Sequence, residues 1–526
     1  MISNRLIVYT AIFLILTGNA AFFSNVTQAY PVNLKNISFL LSLAWGFGGA
    51  IVLVLSLVCF RYTIKPVIIT ILLVSSVTGY FMNTYNIIID ESMIQNILNT
   101  NMAESLDLLS PKLILYVLFL GLLPSFFVYS VPLAYRSGWR EAGSRLKLFA
   151  LTLLSIVGMM FVFSDFYTSF FREHKPLRYY ANPTYYLYAS GKYIHSLFET
   201  DTSILKSVGL DAKIPGSDSP RKLIIFVIGE AARADRFSLN GYERETNPLL
   251  KKEQVISFTD FWSCGTTTAV SVPCMFSIYN RKSFNDQKGK STENVLDVLK
   301  HARVNLLWLE NNSSSLKVAG RIPYHDYRTS AENPACDIEC RDMGMLKNLQ
   351  TYVQGKPRGD IFIVLHQMGN HGPSYYKRYP PEFEKFTPVC TSNQLEECSR
   401  ESINNAYDNA ILYTDYFLSQ VIGFLKQYQN TFETGMLYVS DHGESLGENG
   451  LYLHGLPYFI APDSQRHIPA ILWFGKNVDK MDMNSLLKIK DHTYTHDHLF
   501  HTILGLMNVE TSVYDHRLDM LQKTPR

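Results

Sequence analysis

Long apolar stretches crowd the first third of the chain and then stop. They run over Leu6–Phe23, Ile37–Phe60, Pro66–Met82, Leu113–Leu133 and Leu148–Phe171. A helix of about 17–25 apolar residues crosses a bilayer, so all five span or come close. One such stretch is often a buried core helix; five in succession predict a membrane domain. The first also reads as a signal peptide, with Gly18-Asn19-Ala20 as a small-residue cleavage site. Phe22 and Phe23 carry the apolar run past that site, which favours a retained span. Arg61 and Lys65 lie between spans two and three, and Arg136, Arg140, Arg145 and Lys147 between four and five. Cationic loops stay on the cytoplasmic side. The chain is thus expected to start inside and to place everything after Phe171 outside.

Beyond Phe171 the pattern changes. Short β-rich runs at Leu223–Ile228, Val304–Leu309, Ile361–Leu365, Met436–Val439 and Ala470–Phe474 alternate with helical patterns such as Ser291–His301 and Ile403–Tyr428. That alternation predicts an α/β domain with a mostly parallel sheet. Composition divides at the same place. Charged residues make up about 9% of the first 172 positions and about 22% of the remaining 354. A soluble single domain, a disordered chain and a fibrous chain are all excluded. The expected organisation is a five-span α-helical membrane domain over 1–172, an interfacial helix and linker over 173–220, and an outer α/β domain over 221–526. A net charge of +2 offers no basic footprint, so nucleic acid is not an expected partner.

Tyr179, Tyr180, Tyr185, Tyr186, Tyr188 and Tyr193 read as an aromatic belt at headgroup level, and Gly209–Lys222 as a linker. In Asp90–Ser105, Met93, Ile94, Ile97 and Leu98 recur at helical spacing, while Asn96, Thr100 and Glu104 form a polar stripe. This reads as an interfacial amphipathic helix, the plainer alternative being a solvated helix face. Of seven cysteines, Cys59 lies inside a span and serves as a small apolar residue. The other six fall at short spacings: Cys264 and Cys274, Cys336 and Cys340, Cys390 and Cys398. Six cysteines allow 15 connectivities, of which pairing between sequence neighbours is the simplest. A zinc ribbon is the rival, but no C-x₂-C pair supports it. An oxidising compartment fits both the count and the topology.

In parallel sheets, sites gather at the carboxyl ends of strands. The first strand runs into Gly229-Glu230, the third into His366-Gln367-Met368-Gly369-Asn370-His371-Gly372, and the fourth into Ser440-Asp441-His442-Gly443-Glu444. Leu453-His454-Gly455 follows shortly after. Glu230 alone would read as a cap or a turn. Beside Asp441, His442 and two glycine-flanked histidines it reads as part of a metal site, for Zn²⁺ or an oxygen-preferring ion such as Mn²⁺. The segment Cys264-Gly265-Thr266-Thr267-Thr268-Ala269 offers three hydroxyls ahead of an apolar run, the pattern of a helix N-terminus. Helix dipole and metal together would activate one of them as a nucleophile. All three could equally be caps, and the residues alone do not choose among them.

Glu230 after a strand, Cys264 to Cys274 as Cys-Gly-Thr-x-Thr-Ala-Val-Ser-Val-Pro-Cys, Asn370-His371-Gly372-Pro373 and Ser440-Asp441-His442-Gly443-Glu444-Ser445 resemble the lipid A phosphoethanolamine transferases. That family includes the mobile colistin-resistance enzymes and belongs to the alkaline phosphatase/sulfatase superfamily. The resemblance covers essentially the whole chain. It implies that Thr268 is the nucleophile, and that Glu230, Asp441 and His442, together with Thr268, surround a catalytic zinc. It implies that His371 and His454 sit by the phosphoryl group, where they bind phosphate or can hold a second zinc. Asn96, Thr100 and Glu104, with Tyr85 beside them, would bind the lipid donor, as would Asn312, Ser313 and Lys317. The loop bearing Lys317 is one residue longer than the family pattern, and the Cys336–Cys340 spacing is shorter.

The implied reaction moves phosphoethanolamine from phosphatidylethanolamine to a phosphate of lipid A through a covalent threonine intermediate. The product carries less surface negative charge, and resistance to polymyxin and other cationic peptides would follow. The expected setting is the Gram-negative inner membrane, multi-pass and monomeric, with the outer domain in the periplasm. The alternative acceptor is another envelope glycan, such as core oligosaccharide or periplasmic glucan. A phosphoglycerol transferase of the lipoteichoic acid synthase kind fits less well with the paired cysteines. Cys274-Met275-Phe276-Ser277-Ile278 lacks a sulfatase's Cys/Ser-x-Pro-x-Arg motif. A non-catalytic receptor fits less well with the intact set of Glu230, Thr268, Asp441 and His442.

Overall fold

The computed structural model describes residues 2–100, 102–135, 138–199, 205–216, 220–476 and 483–521. It divides into two compact units. The first holds Met1–Ile94 and Leu109–His195; the second holds Gln95–Leu108 and Ser196–Arg526. The region expected as interfacial helix and linker is therefore shared between them.

In the first unit, four helices among the described residues are long and apolar enough to cross a membrane: Ile37–Val58, Ile64–Tyr85, Pro111–Ser130 and Gly138–Val162. A bent pair, Ser3–Thr17 and Ala20–Ala29, makes a fifth. The sequence predicts one straight span there, whereas the helix breaks with a 60° bend. Asn19 supplies the reason. Its Nδ2 donates to the carbonyl of Leu14 at 2.8 Å and to that of Asn182 at 2.6 Å, so the side chain pins the end of the first helix to a distant turn and the chain leaves in a new direction. The Pro111–Ser130 span contains a π-helical turn, Val117–Leu122, just ahead of Pro124, whose missing N–H the wider turn accommodates. The last span begins ten residues earlier than its apolar stretch and ends at Val162, with a separate helix at Ser164–Glu173. The tyrosine segment also departs from a simple belt. Tyr180 donates to the Asn86 carbonyl at 3.1 Å, and the Tyr186 hydroxyl lies 3.3 Å from that of Ser75, both rings being buried.

The second unit is built on seven strands: β1 (Arg221–Gly229), β2 (Ile256–Phe258), β3 (Asn305–Glu310), β4 (Tyr324–Asp326), β5 (Ile361–His366), β6 (Phe432–Ser440) and β7 (Ala470–Phe474). Their order across the sheet is β2-β7-β6-β1-β5-β3-β4. Pairing is parallel except for β7, which runs antiparallel to both neighbours. β1, β5 and β6 read as unbroken apolar runs because helices cover both faces. Phe226, Phe276, Trp308 and Leu437 belong to the core on one side. The expected helices appear as Val295–His301, opened by an Asn294 capping box, and Arg400–Lys426, capped by Ser399. The register sets Ile228 beside His366 and Val439, so the carboxyl ends of β1, β5 and β6 finish level.

Candidate active site

Three residues converge where those strands end. Glu230 follows β1, and Asp441 and His442 follow β6. One oxygen of each carboxylate and one imidazole nitrogen all lie within 4.8 Å of one another, and all three residues are buried. Asp441 Oδ1 accepts the N–H of His442 at 2.7 Å and that of Ala231 at 3.1 Å, which leaves Oδ2 turned inward. His442 Nδ1 lies 2.8 Å from the Gly443 carbonyl, so the proton belongs there and Nε2 presents its lone pair to the site. Glu230 Oε2 accepts Asn312 Nδ2 at 2.7 Å. Glu230 Oε1 and Asp441 Oδ2 are buried with no hydrogen-bond donor among the described residues. Two orphaned carboxylate oxygens facing an imidazole lone pair fit a divalent cation of the zinc type. Without one, burial and the nearby Asp441 push the Glu230 carboxyl well above its usual range, and burial lowers His442 to about 4.

The threonine cluster sits against this set. Thr268 opens the helix Thr268–Met275, and its hydroxyl lies 3.1 Å from Glu230 Oε2 and 3.3 Å from His442 Nε2. Thr266 is spent elsewhere, donating to the Leu456 carbonyl at 2.7 Å, and Thr267 is the N-cap. The three hydroxyls that look alike in sequence are thereby separated. Disulfides join Cys264 to Cys274, Cys336 to Cys340 and Cys390 to Cys398, the neighbour pairing, and Cys59 is free and buried. The first bridge ties the loop before the Thr268–Met275 helix to that helix's far end. Gly265 is needed in this loop, because a Cβ there would lie 2.8 Å from Val270.

His371 and His454 also reach the site. The rings of His442 and His454 are 4.2 Å apart, and those of His371 and His454 6.1 Å. Glu444 orients His454 through a 3.2 Å contact to Nδ1. Burial and the nearby Arg378 cation hold His371 well below its usual pKa. Its loop turns at Gly369, whose φ of +50° and 3.0 Å approach to the Glu230 backbone leave no room for a side chain.

The remaining expected residues are more dispersed. Asn312 touches Glu230 directly and also donates to the Gln367 carbonyl at 2.8 Å. The Ser313 carbonyl accepts from Arg328. Lys317 is exposed, at φ 69°, on a cleft of about 570 Å³ that Gln95, Asp286, Lys290, Ser315 and Tyr324 also line. Asn96 and Thr100 lie at the end of the helix Glu91–Asn99, where the Thr100 hydroxyl donates to the Asn96 carbonyl at 2.8 Å. Tyr85 is buried in the first unit at the end of its span. The Glu104 side chain lies outside the described residues.

Two residues absent from the sequence reading are prominent here. His496 Nδ1 accepts the Cys264 N–H and Nε2 donates to the Ser440 carbonyl, both at 3.0 Å, which joins the threonine loop to the end of β6. Arg378 donates to the His371 carbonyl at 2.6 Å. His496 sits in a run with His492, His498 and His501, which marks the region without singling out one ring.

A parallel sheet with acids, imidazoles and a helix-borne hydroxyl at its carboxyl edge defines the alkaline phosphatase/sulfatase class of fold. The sulfatase family matches residues 222–509, and the family described as phosphoethanolamine transferase EptA/EptB matches residues 48–198. The chain is 43% identical to phosphatidylethanolamine transferase Mcr-1 of Escherichia coli, over 96% of this chain and 94% of that protein. It is 39% identical to phosphoethanolamine transferase EptA of Escherichia coli K12, over 97% and 94%. The structure of the integral membrane lipooligosaccharide phosphoethanolamine transferase A from Neisseria meningitidis superposes with a TM-score of 0.95 at 34% identity, covering 98% of both chains. The chain belongs to the EptA/EptB family of membrane phosphoethanolamine transferases.

Proposed function

We propose that this transferase moves phosphoethanolamine from phosphatidylethanolamine to a phosphate of lipid A, with Thr268 as covalent carrier. The observation that carries the reading is the Thr268 hydroxyl, 3.1 Å from Glu230 and 3.3 Å from His442, at the start of a helix in a buried pocket. The helix N-terminus favours the negative charge that develops on the phosphoryl group. Thr268 Oγ1 forms a bond to phosphorus while the bond to the glycerol oxygen breaks and diacylglycerol leaves with a proton. The proton of Thr268 passes to the Glu230 carboxylate, whose Oε2 is in contact with it. His371 and His454 face the departing oxygen and hold or return that proton. An oxygen of the lipid A phosphate then attacks the same phosphorus and releases Thr268. Zinc, held by Glu230, Asp441 and His442, would polarise the phosphoryl oxygen and lower the pKa of the threonine hydroxyl. A second ion would belong with His371 and His454.

A glycolipid acceptor is supported by the likeness to the Neisseria lipooligosaccharide enzyme. Asn96, Thr100, Glu104, Asn312, Ser313 and Lys317 are assigned to the donor head group, with Tyr85 beside them. The chain acts as a monomer in the Gram-negative inner membrane, with its outer domain in the periplasm. Masking a phosphate with an ammonium weakens cationic peptide binding, so polymyxin resistance follows. Mass spectrometry of lipid A from cells expressing the chain tests this. A phosphoethanolamine increment in wild type that is missing in Thr268→Ala supports the reading. An unmodified lipid A, with the increment on core sugars, would move the acceptor to another glycan.

A further inference from the structure

We propose that Arg378 and Asp107 form a positioning pair that fastens the 95–108 segment to the His371 loop, so that donor seating and His371 geometry are set together. The proposal rests on the transfer reading and says how its donor-binding segment is held.

Asp107 closes the short helix Met102–Asp107. Its carboxylate meets Lys377 Nζ, and it meets Arg378 Nη2 at 3.0 Å. Its main-chain carbonyl accepts from Asn393 Nδ2. At its other end the same segment is tied by Gln95 Nε2, which donates to Asp286 at 2.7 Å. The Arg378 side chain is 3% exposed, so this is not the weak, screened ion pair of a surface. Its planar fork is used in three directions. Nη2 holds Asp107, Nη1 holds Glu339, and Nε donates to the main-chain carbonyl of His371 at 2.6 Å. Arg341 backs this arrangement, contacting Glu339 at 3.4 Å and donating to the Lys377 carbonyl. Guanidinium donors keep a fixed mutual geometry, so one side chain holds both the 95–108 segment and the His371 backbone, and Glu339 keeps Arg378 on the His371 carbonyl when Asp107 lets go.

Desolvating several charges is costly, and a buried ion network is weak evidence for stability. What this network does secure is register. It ends on the backbone of the loop whose imidazole lies beside His454, and it begins on the segment bearing Asn96 and Thr100. A lysine in place of Arg378 would keep the charge toward Asp107 but could not also reach the His371 carbonyl in the same plane.

The full-length enzyme in mixed micelles tests the pair with two substrates: phosphatidylethanolamine, and p-nitrophenyl phosphoethanolamine as a soluble diester with the same head group. Asp107→Asn should raise KM for the lipid about tenfold, the scale of a lost charged hydrogen bond, and leave turnover of the soluble diester within about twofold of wild type. Arg378→Gln should lower kcat on both substrates. Arg378→Lys should recover the lipid KM but not the kcat. An unchanged lipid KM in Asp107→Asn, or equal losses on both substrates in that variant, overturns the proposal. If Asp107→Asn does not fold, Asp107→Glu displaces the carboxylate by one methylene, and an unaltered lipid KM there is equally fatal. Wild-type soluble turnover in Arg378→Gln overturns the pairing whichever lipid is the donor. Failure of the transfer reading shows separately, as wild-type enzyme that leaves phosphatidylethanolamine intact.

Discussion

Replacing His496 should damage the site from behind. Its ring is 1% exposed, and both nitrogens are engaged, Nδ1 by the Cys264 N–H and Nε2 by the Ser440 carbonyl. His496→Leu leaves both main-chain groups buried and unpaired. Each orphan costs about 1–3 kcal/mol, so the variant should lose about 2–6 kcal/mol of stability. His496→Asn keeps an acceptor near the Nδ1 position and His496→Gln a donor near Nε2, so each should lose about half as much. Acid sharpens the test. Burial lowers the His496 pKa from 6.5 to about 4. Between those values the unfolded chain holds a proton that the native chain refuses, so stability rises with pH across the window. The contribution is fully present above 6.5 and is lost as pH falls toward 4, about 3 kcal/mol in all. Urea unfolding of the detergent-solubilised chain, followed by tryptophan fluorescence at several pH values, measures both effects. Asn and Gln variants should lose this part of the acid slope. A Leu variant as stable as wild type, or Asn and Gln variants no better than Leu, would refute the reasoning.

Thr268→Ala should abolish transfer, while Thr266→Ala, which loses one bond to the Leu456 carbonyl, should cost about 1 kcal/mol of stability and keep most activity; lipid A mass spectra and melting curves separate the two. Removing metal with a chelator should lower the thermal midpoint, because Glu230 and Asp441 are then buried together without a counter-charge, and added zinc should restore it; a midpoint indifferent to both would argue against a resident ion. Thiol labelling of the denatured, unreduced protein should find Cys59 alone, and label at Cys264 would contradict the bridge that brackets the Thr268–Met275 helix.

The spans, the central strands and the acids at their ends were legible because each is a local pattern: an apolar run followed at once by a polar residue. β1, β5 and β6 could be read within a few residues, and with them the placement of Glu230, Asp441 and His442. Features set by distant partners were not legible. The break at Asn19 depends on Asn182, 163 residues away. The edge strands β2 and β4 are three residues each, too short for any period to show. The reversal of β7 depends on pairing with β6 and β2, which leaves no mark in its own five residues. Thr266, Thr267 and Thr268 were indistinguishable until the fold turned the first toward Leu456 and the last toward Glu230.

The place of β1 at the middle of the sheet bears on how the domain is born. It comes first of the seven strands, yet both its neighbours come late. Lys222 meets Asp360 after 138 residues and Glu433 after 211. A chain emerging from its amino end therefore exposes a nearly continuous apolar strand through almost half of the domain's synthesis before its first edge is satisfied, and longer still before the second. Such late, non-local closure slows folding and leaves the nascent strand open to pairing with other chains. The carboxyl edge that gathers Glu230 and Asp441 is thus completed late, and a chain truncated before β6 lacks Asp441 and His442 altogether.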